Sequence, residues 1–304
     1  METLIFFLYT MDMILNISGR TDIVAFYTPW LMKRFEEGYF LVRNPFYEKS
    51  VSRIEMENVD AIVFCSKNPI PILPYLNQID KPIQFQITCT PYHKDIEPGV
   101  PDKKQIIEAI KIISERIGKE NTVLRFDPIL LNEKYTVDYH IRAFERICSL
   151  LEGYIERVIV SFVDLYKNVQ NHASELNLKM PDDDDFKTIG KAFSQIAKSH
   201  HIKVQSCYEE HDFTKYGWSK EVCVSRKAAF ELTGKTNFKI WKARDCGCVE
   251  MVDVGVYNSC NHLCKYCYAN FDEKKIELNR KNHDPNSPFL IGHSNPDDII
   301  KRRY

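Results

Sequence analysis

The sequence lacks an excess of either charge. Lys and Arg total 41, Asp and Glu 42, for a formal net charge of −1 over 304 residues. That balance removes the general attraction to nucleic acid or an anionic membrane that a basic chain carries, while leaving a local basic patch open. Long apolar runs are also missing. The run Leu4–Tyr9 near the start is far shorter than the roughly 20 residues that cross a bilayer. No basic segment precedes it and no small-residue cleavage site follows, so it does not read as an export signal. Residues 1–12 are expected to be an N-terminal extension, with Met11 and Met13 as plausible starts just before the first strand. No partner membrane is expected, and the expected compartment is the cytoplasm. Internal repeats and low-complexity linkers are absent too. The composition shifts only after Cys267, which sets an expected catalytic domain at 13–270 and a surface tail or lid at 271–304.

What the chain does have is a recurrent strand–helix alternation. Short β-branched runs fall at Ile14–Ser18, Ala61–Cys65, Ile83–Thr88, Thr122–Phe126, Arg157–Val163, Ile202–Cys207 and Met251–Tyr257. Most read as continuously apolar, as strands buried on both faces are. Between them lie amphipathic helices at Asp102–Gly118, Val137–Gly153 and Phe186–Ser199. The acidic run Asp182–Asp185 before the third helix suits the partial positive charge of a helix N-terminus better than a metal. Such alternation implies parallel strands joined by right-handed crossovers. The expected fold is α/β, a complete or partial (β/α) barrel, with a doubly wound open sheet as the alternative. In either, chemistry gathers at the carboxyl ends of the strands.

Ten cysteines are present. In a reducing compartment, clustered thiols point to metal or redox chemistry rather than disulfides. Cys65, Cys89 and Cys148 sit in apolar patterns and read as small buried hydrophobes. Cys260, Cys264 and Cys267 are different: their C-x3-C-x2-C spacing places three thiolates on one short loop. Three thiolates hold three irons of a cubane cluster and leave the fourth iron open. Structural zinc normally takes four protein ligands, and His262, inside the loop, is an awkward fourth. Cys207, Cys223, Cys246 and Cys248 form a second, irregularly spaced set, open between an auxiliary iron–sulfur cluster, zinc and no metal. Gly247 between two of them allows a tight backbone turn.

Polar residues fall at the expected strand ends: Arg20, Thr21 and Asp22; Lys67 and Asn68; Arg125 and Asp127; Asp164; Glu209 and Glu210. Each reads either as a ligand or as a helix cap or internal ion pair. Tyr92 and His93 follow another strand end, and His93 reads more simply as a satisfied histidine than as a catalyst.

The cysteine spacing, with aromatic Tyr266 before the last cysteine, resembles the C-x3-C-x-aromatic-C motif of radical S-adenosylmethionine (SAM) enzymes. There the motif follows the first barrel strand; here it follows the last, as in a circular permutation that makes the cluster-bearing strand C-terminal. Most of the chain resembles the bacterial family called domain of unknown function 1848. The matching pieces are Arg20-Thr21-Asp22, Ala25-Phe26-Tyr27, Val42-Arg43-Asn44-Pro45-Phe46, Lys67-Asn68-Pro69, Glu97-Pro98-Gly99-Val100-Pro101, Asp127-Pro128-Ile129-Leu130 and Ser161-Phe162-Val163-Asp164. Three of them, at Lys67, Glu97 and Asp127, are also similar to segments of spore photoproduct lyase-like radical SAM enzymes, in the same order. The resemblance implies a [4Fe-4S] cluster on Cys260, Cys264 and Cys267, with SAM at the open iron and a reductase, flavodoxin or ferredoxin as electron donor. It implies Lys67, Asn68, Asp127 and Tyr266 as cofactor-binding residues, with Lys67 toward the SAM carboxylate and Asp127 or Asp164 toward ribose hydroxyls. Tyr208, Asp164 and Arg125 are the catalytic candidates, Tyr208 as a relay for a hydrogen atom. The substrate stays open among a nucleic-acid lesion, a small molecule and a peptide, and the charge balance argues against the first. Two other readings compete. One is a non-catalytic iron–sulfur protein for electron transfer or redox sensing. The other is a zinc-dependent nucleic-acid-binding module with a basic face around Lys265 and Lys301-Arg302-Arg303.

Overall fold

The computed structural model describes residues 12–242 and 246–303, without the side chains of Lys167 and Asn168. All but the last residue of the expected N-terminal extension lies outside the described residues. The strands in chain order are β1 (Ile14–Ile17), β2 (Tyr39–Asn44), β3 (Tyr47–Glu55), β4 (Ala61–Ser66), β5 (Ile83–Thr88), β6 (Thr122–Ile129), β7 (Arg157–Phe162), β8 (Lys203–Ser206), β9 (Met251–Asp253) and β10 (Ile299–Arg303). Seven of them form one sheet in the order β8-β7-β6-β5-β4-β1-β9, every neighbouring pair parallel. The fold is therefore α/β. β8 and β9 are the edges of this sheet. Beyond β8, the Ser219 amide donates to Val204 O (2.8 Å), and the Val249 amide in turn donates to Val224 O (2.9 Å).

The strands differ from the expectation in one respect. β1 and β4 bury apolar side chains on both faces, but β5 and β6 carry polar residues on one. In β5, Ile83, Phe85 and Ile87 join the main core while Gln84 and Gln86 turn the other way. In β6, Leu124 and Phe126 face the core, and Arg125 and Asp127 lie on the opposite face. The physical reason is that the second face is divided. Over β1 and β4, Ile14, Ala61 and Val63 pack against Val224, Ala229 and Phe238, Ala229 belonging to the helix Arg226–Thr233. Elsewhere this face lines a cavity, and its buried polar groups are tolerated because they bond to each other: Gln86 Nε2 to Gln84 Oε1 at 3.0 Å and Arg125 Nη1 to Gln86 Oε1 at 2.9 Å.

The helices over the core face follow their sequence signals. Asp102 caps Lys103–Ile117 by accepting the Lys104 amide, and Ile106, Ile110 and Ile113 are buried. Thr136 caps Val137–Leu151, which buries Phe144 and Leu151. Asp182 and Asp185 form a reciprocal capping box at the start of Asp183–Ser199, so this part of the acidic run does structural work at a helix N-terminus. Phe193 of that helix stacks on Phe144 with ring centroids 3.8 Å apart. Cys89 and Cys148 are buried in the main core. Cys65 packs against the apolar cluster of Ile14, Ala61 and Val63, and its thiol also faces the cavity, 3.6 Å from Asn16 Oδ1.

A second sheet, ordered β10-β3-β2, has β2 antiparallel and β10 parallel to β3. The segment after residue 270 holds a helix, Glu273–Lys281, and then reaches this sheet. It is fixed to the body where Trp30 Nε1 donates to Ser287 O (2.8 Å) and the Leu41 amide to Pro288 O (3.0 Å). Among the described residues no helix is long and apolar enough to cross a membrane.

Candidate functional site

The carboxyl ends of the seven parallel strands open onto a cavity of about 630 Å³. Both cysteine sets line it, together with Cys65. Parallel topology explains the location, because all strand ends carrying loops of variable sequence point the same way.

The loop bearing Cys260, Cys264 and Cys267 leaves β9 and is tied shut by two asparagines. Asn270 Oδ1 accepts the amides of Ser259 and Cys260, both at 2.8 Å, and its Nδ2 lies 3.7 Å from Cys267 Sγ. Asn258 Oδ1 accepts the amides of Phe271 and Asp272. The loop then docks on the turn at 96–100: the Gly99 amide donates to His262 O (2.9 Å) and the Lys265 amide to Ile96 O (3.1 Å). Gly99 is required by this approach, since a Cβ there collides with Asn261 O and comes within 2.8 Å of His262 Cα. His262 is buried, with Nε2 2.9 Å from Asp22 Oδ2 and Nδ1 3.2 Å from Gly99 O. Both ring nitrogens are thus engaged by oxygen, and the loop offers three thiols without an imidazole. Burial raises the Cys264 thiol well above its ordinary value against the pull of the Lys67 ammonium, and burial with Asp22 nearby raises Cys260.

Below Cys264 lies a charge hub that the sequence reading did not single out. Glu97, 1% exposed, accepts from Lys67 Nζ (3.0 Å), Thr90 Oγ1 (2.7 Å), Lys103 Nζ and Tyr266 OH. Burial opposes its ionisation, but Lys67 and Lys103 outweigh it and hold the carboxyl at about 2. Lys67 also lies 5.3 Å over the Tyr266 ring. Lys67 and Tyr266 line the cavity; Asn68 does not, its Oδ1 instead accepting the Ile70 amide at 3.3 Å. Asp253 is a second unanticipated hub. It accepts from Asn16 Nδ2 (3.0 Å), Ser18 Oγ (2.8 Å) and the amides of Gly19 and Gly255 (2.7 Å each). The sequence signal for Glu97 was the motif Glu97-Pro98-Gly99, and for Asp253 only an acid at a strand end.

Arg125 and Asp127 form an ion pair on the cavity face, joined by Ser161 Oγ on Asp127. Asp164, Tyr166 and Tyr208 lie at the exposed rim, Tyr208 in the left-handed region at φ 50°. Burial and the Asp164 contact raise the Tyr166 hydroxyl to about 12. Thr21 Oγ1 is buried in the cavity wall with no hydrogen-bond partner among the described residues. Glu209, His93 and Tyr92 do not line the cavity. Glu209 accepts the Phe162 amide at 2.8 Å, and burial raises it to about 8.

The second set is drawn together from three chain segments. Cys207 follows β8, Cys223 lies beyond it, and the Val249–Val224 hydrogen bond brings Cys248 alongside Cys223. Cys223 Sγ is 3.2 Å from Cys207 Sγ, and Cys248 contacts both Cys223 and Cys246. Among the described residues, no three Cys, His, Asp or Glu side chains surround a single-ion position. Of the basic residues expected to form a nucleic-acid face, Lys265 pairs with Glu175, Arg302 with Glu55 and Arg303 with Glu250.

The sequence profile of the domain of unknown function DUF1848 matches residues 14–269. The chain belongs to the DUF1848 family. The DUF1848 span takes in the whole parallel sheet and both cysteine sets, and stops before the helix Glu273–Lys281 and β10. The chain matches no curated protein.

Proposed function

We propose that the protein is a radical SAM enzyme on a permuted, partial (β/α) barrel, with a [4Fe-4S] cluster on Cys260, Cys264 and Cys267. The observation that carries this reading is the three-thiol loop at the carboxyl end of the parallel sheet, whose one histidine is held by Asp22 and Gly99. Three thiolates, with no fourth ligand beside them among the described residues, suit a cubane with one open iron. When bound, the cluster and SAM supply reductive cleavage of the sulfonium and a 5′-deoxyadenosyl radical that takes a hydrogen atom from the substrate. The chain's own residues position and shield. Glu97 fixes Lys67 and Tyr266 against the Cys264 side of the cavity, Lys67 being the residue proposed to meet the SAM carboxylate. Thr21 Oγ1 is an unsatisfied buried group of the kind a polar ligand completes. Arg125, Asp127 and Asp164 line the wall proposed for substrate, with Tyr208 at its rim. The ion pairs at Lys265, Arg302 and Arg303 weigh against a nucleic-acid-binding module, and a small molecule or peptide is the substrate class proposed.

The test is to reconstitute and reduce the protein without oxygen, add SAM, and quantify 5′-deoxyadenosine by mass spectrometry. Product that disappears in a Cys264→Ala variant supports the proposal. Absence of product from protein carrying the cluster, with and without candidate substrates, favours electron transfer instead.

A further inference from the structure

We propose that Cys207, Cys223, Cys246 and Cys248 hold a second iron–sulfur cluster in the wall of the same cavity. The four thiols come from three segments separated by up to two elements, yet their sulfurs contact in series, Cys207 to Cys223 at 3.2 Å and Cys248 to both Cys223 and Cys246. Cysteines that serve as small hydrophobes are found elsewhere in this chain, as Cys89 and Cys148 in the main core. The second set instead packs beside Val123 and Ile159 on the cavity face.

The surrounding charge suits an anionic centre. Arg125 Nη1 lies 3.6 Å from Cys223 Sγ, and Arg157 Nη2 donates to Cys223 O at 3.1 Å. Arg125 is balanced by Asp127. Among the described residues Arg157 makes no direct ion pair, Glu221 acting on it only from a distance, and its other hydrogen bond is to Gln205 Oε1 at 3.3 Å. A half-buried guanidinium with no carboxylate in direct contact beside four thiols is an environment in which a tetrathiolate cluster offsets buried charge. Four thiolates complete a cubane without an open iron. Zinc takes the same four ligands, so the metal bound at these four cavity-lining cysteines is what separates the two. Gly247, at φ 73°, makes the turn between Cys246 and Cys248.

The test is iron and acid-labile sulfide per chain after anaerobic reconstitution of the full chain. Native protein is expected to take up about eight irons, and a Cys260→Ser/Cys264→Ser/Cys267→Ser variant about four, with sulfide to match. A Cys223→Ser/Cys248→Ser variant is expected to lose the other four or so. Single Cys246→Ser, at the more exposed ligand, is the parallel variant should the double one fail to fold by circular dichroism. The proposal is overturned if the triple variant binds no iron, if it binds zinc alone, or if Cys207 and Cys223 are recovered as a disulfide that reconstitution does not convert. Iron lost from the Cys260/Cys264/Cys267 variant alone would leave the first site standing and remove the second; iron lost only from the Cys223/Cys248 variant would do the reverse.

Discussion

The two cysteine sets share one cavity and are built in opposite ways. Cys260, Cys264 and Cys267 sit within eight consecutive residues, and what organises them is backbone: Asn270 and Asn258 close the loop, and Gly99 receives it. Cys207, Cys223, Cys246 and Cys248 depend on strand order, because β8, the segment beyond it and the chain entering β9 must each be in register for their thiols to meet. The contrast teaches that a loop-borne cysteine set is vulnerable to local substitutions in its anchors, while a set assembled across a sheet is vulnerable to whatever disturbs the elements that carry it.

Substitutions can sharpen or break that contrast. The largest effect is expected from Glu97→Gln, which leaves the Lys67 and Lys103 ammoniums without their buried counter-charge. Removing one partner of such a pair costs about 3–5 kcal/mol, read as a lowered Tm, with iron lost first from the Cys264 loop. The pH dependence follows in sign. The folded carboxyl lies at about 2, below its ordinary 4.5. Its contribution is therefore full above about 4.5 and lost as pH falls toward about 2, so the Tm gap between native and Glu97→Gln protein should narrow across that window. Next is Asn270→Ala, which orphans the buried amides of Ser259 and Cys260 at about 1–3 kcal/mol each. It should reduce iron in the three-cysteine site and leave the four-cysteine site intact. Gly99→Ala should act on the same side by about 1–3 kcal/mol, because its Cβ overpacks against Asn261 and His262. Gly247→Ala is the opposite probe. Its positive φ costs an alanine roughly 1–2 kcal/mol, and it should weaken only the four-cysteine site. Equal iron loss from both sites in any of the last three variants would break the distinction.

Much of the frame was legible. All seven parallel strands fall on the expected runs, although β9 stops at Asp253 and β6 extends to Ile129. The three-cysteine loop was legible because its cysteines are spaced by a few residues. The second sheet was missed: β2 and β3 carry charges and are partly exposed, and β10 is exposed throughout, so burial imposes little apolar pattern on them. Glu97 was missed as a hub because Lys67, Thr90, Lys103 and Tyr266 reach it from separate segments. Asn68 was expected at the cofactor, and its side chain instead accepts the Ile70 amide, because an Asn two residues before an amide serves equally well as a turn cap. The glutamines of β5 and the Arg125–Asp127 pair were the visible sign that one sheet face is polar.

The most direct test of the three-thiol site is the electron paramagnetic resonance spectrum of the reduced, reconstituted Cys223→Ser/Cys248→Ser protein, with and without SAM. With only the Cys260/Cys264/Cys267 site loaded, an open iron predicts that SAM changes the signal, because its amino and carboxylate groups become ligands. A reduced cluster at these three cysteines whose spectrum is the same with saturating SAM would contradict the account.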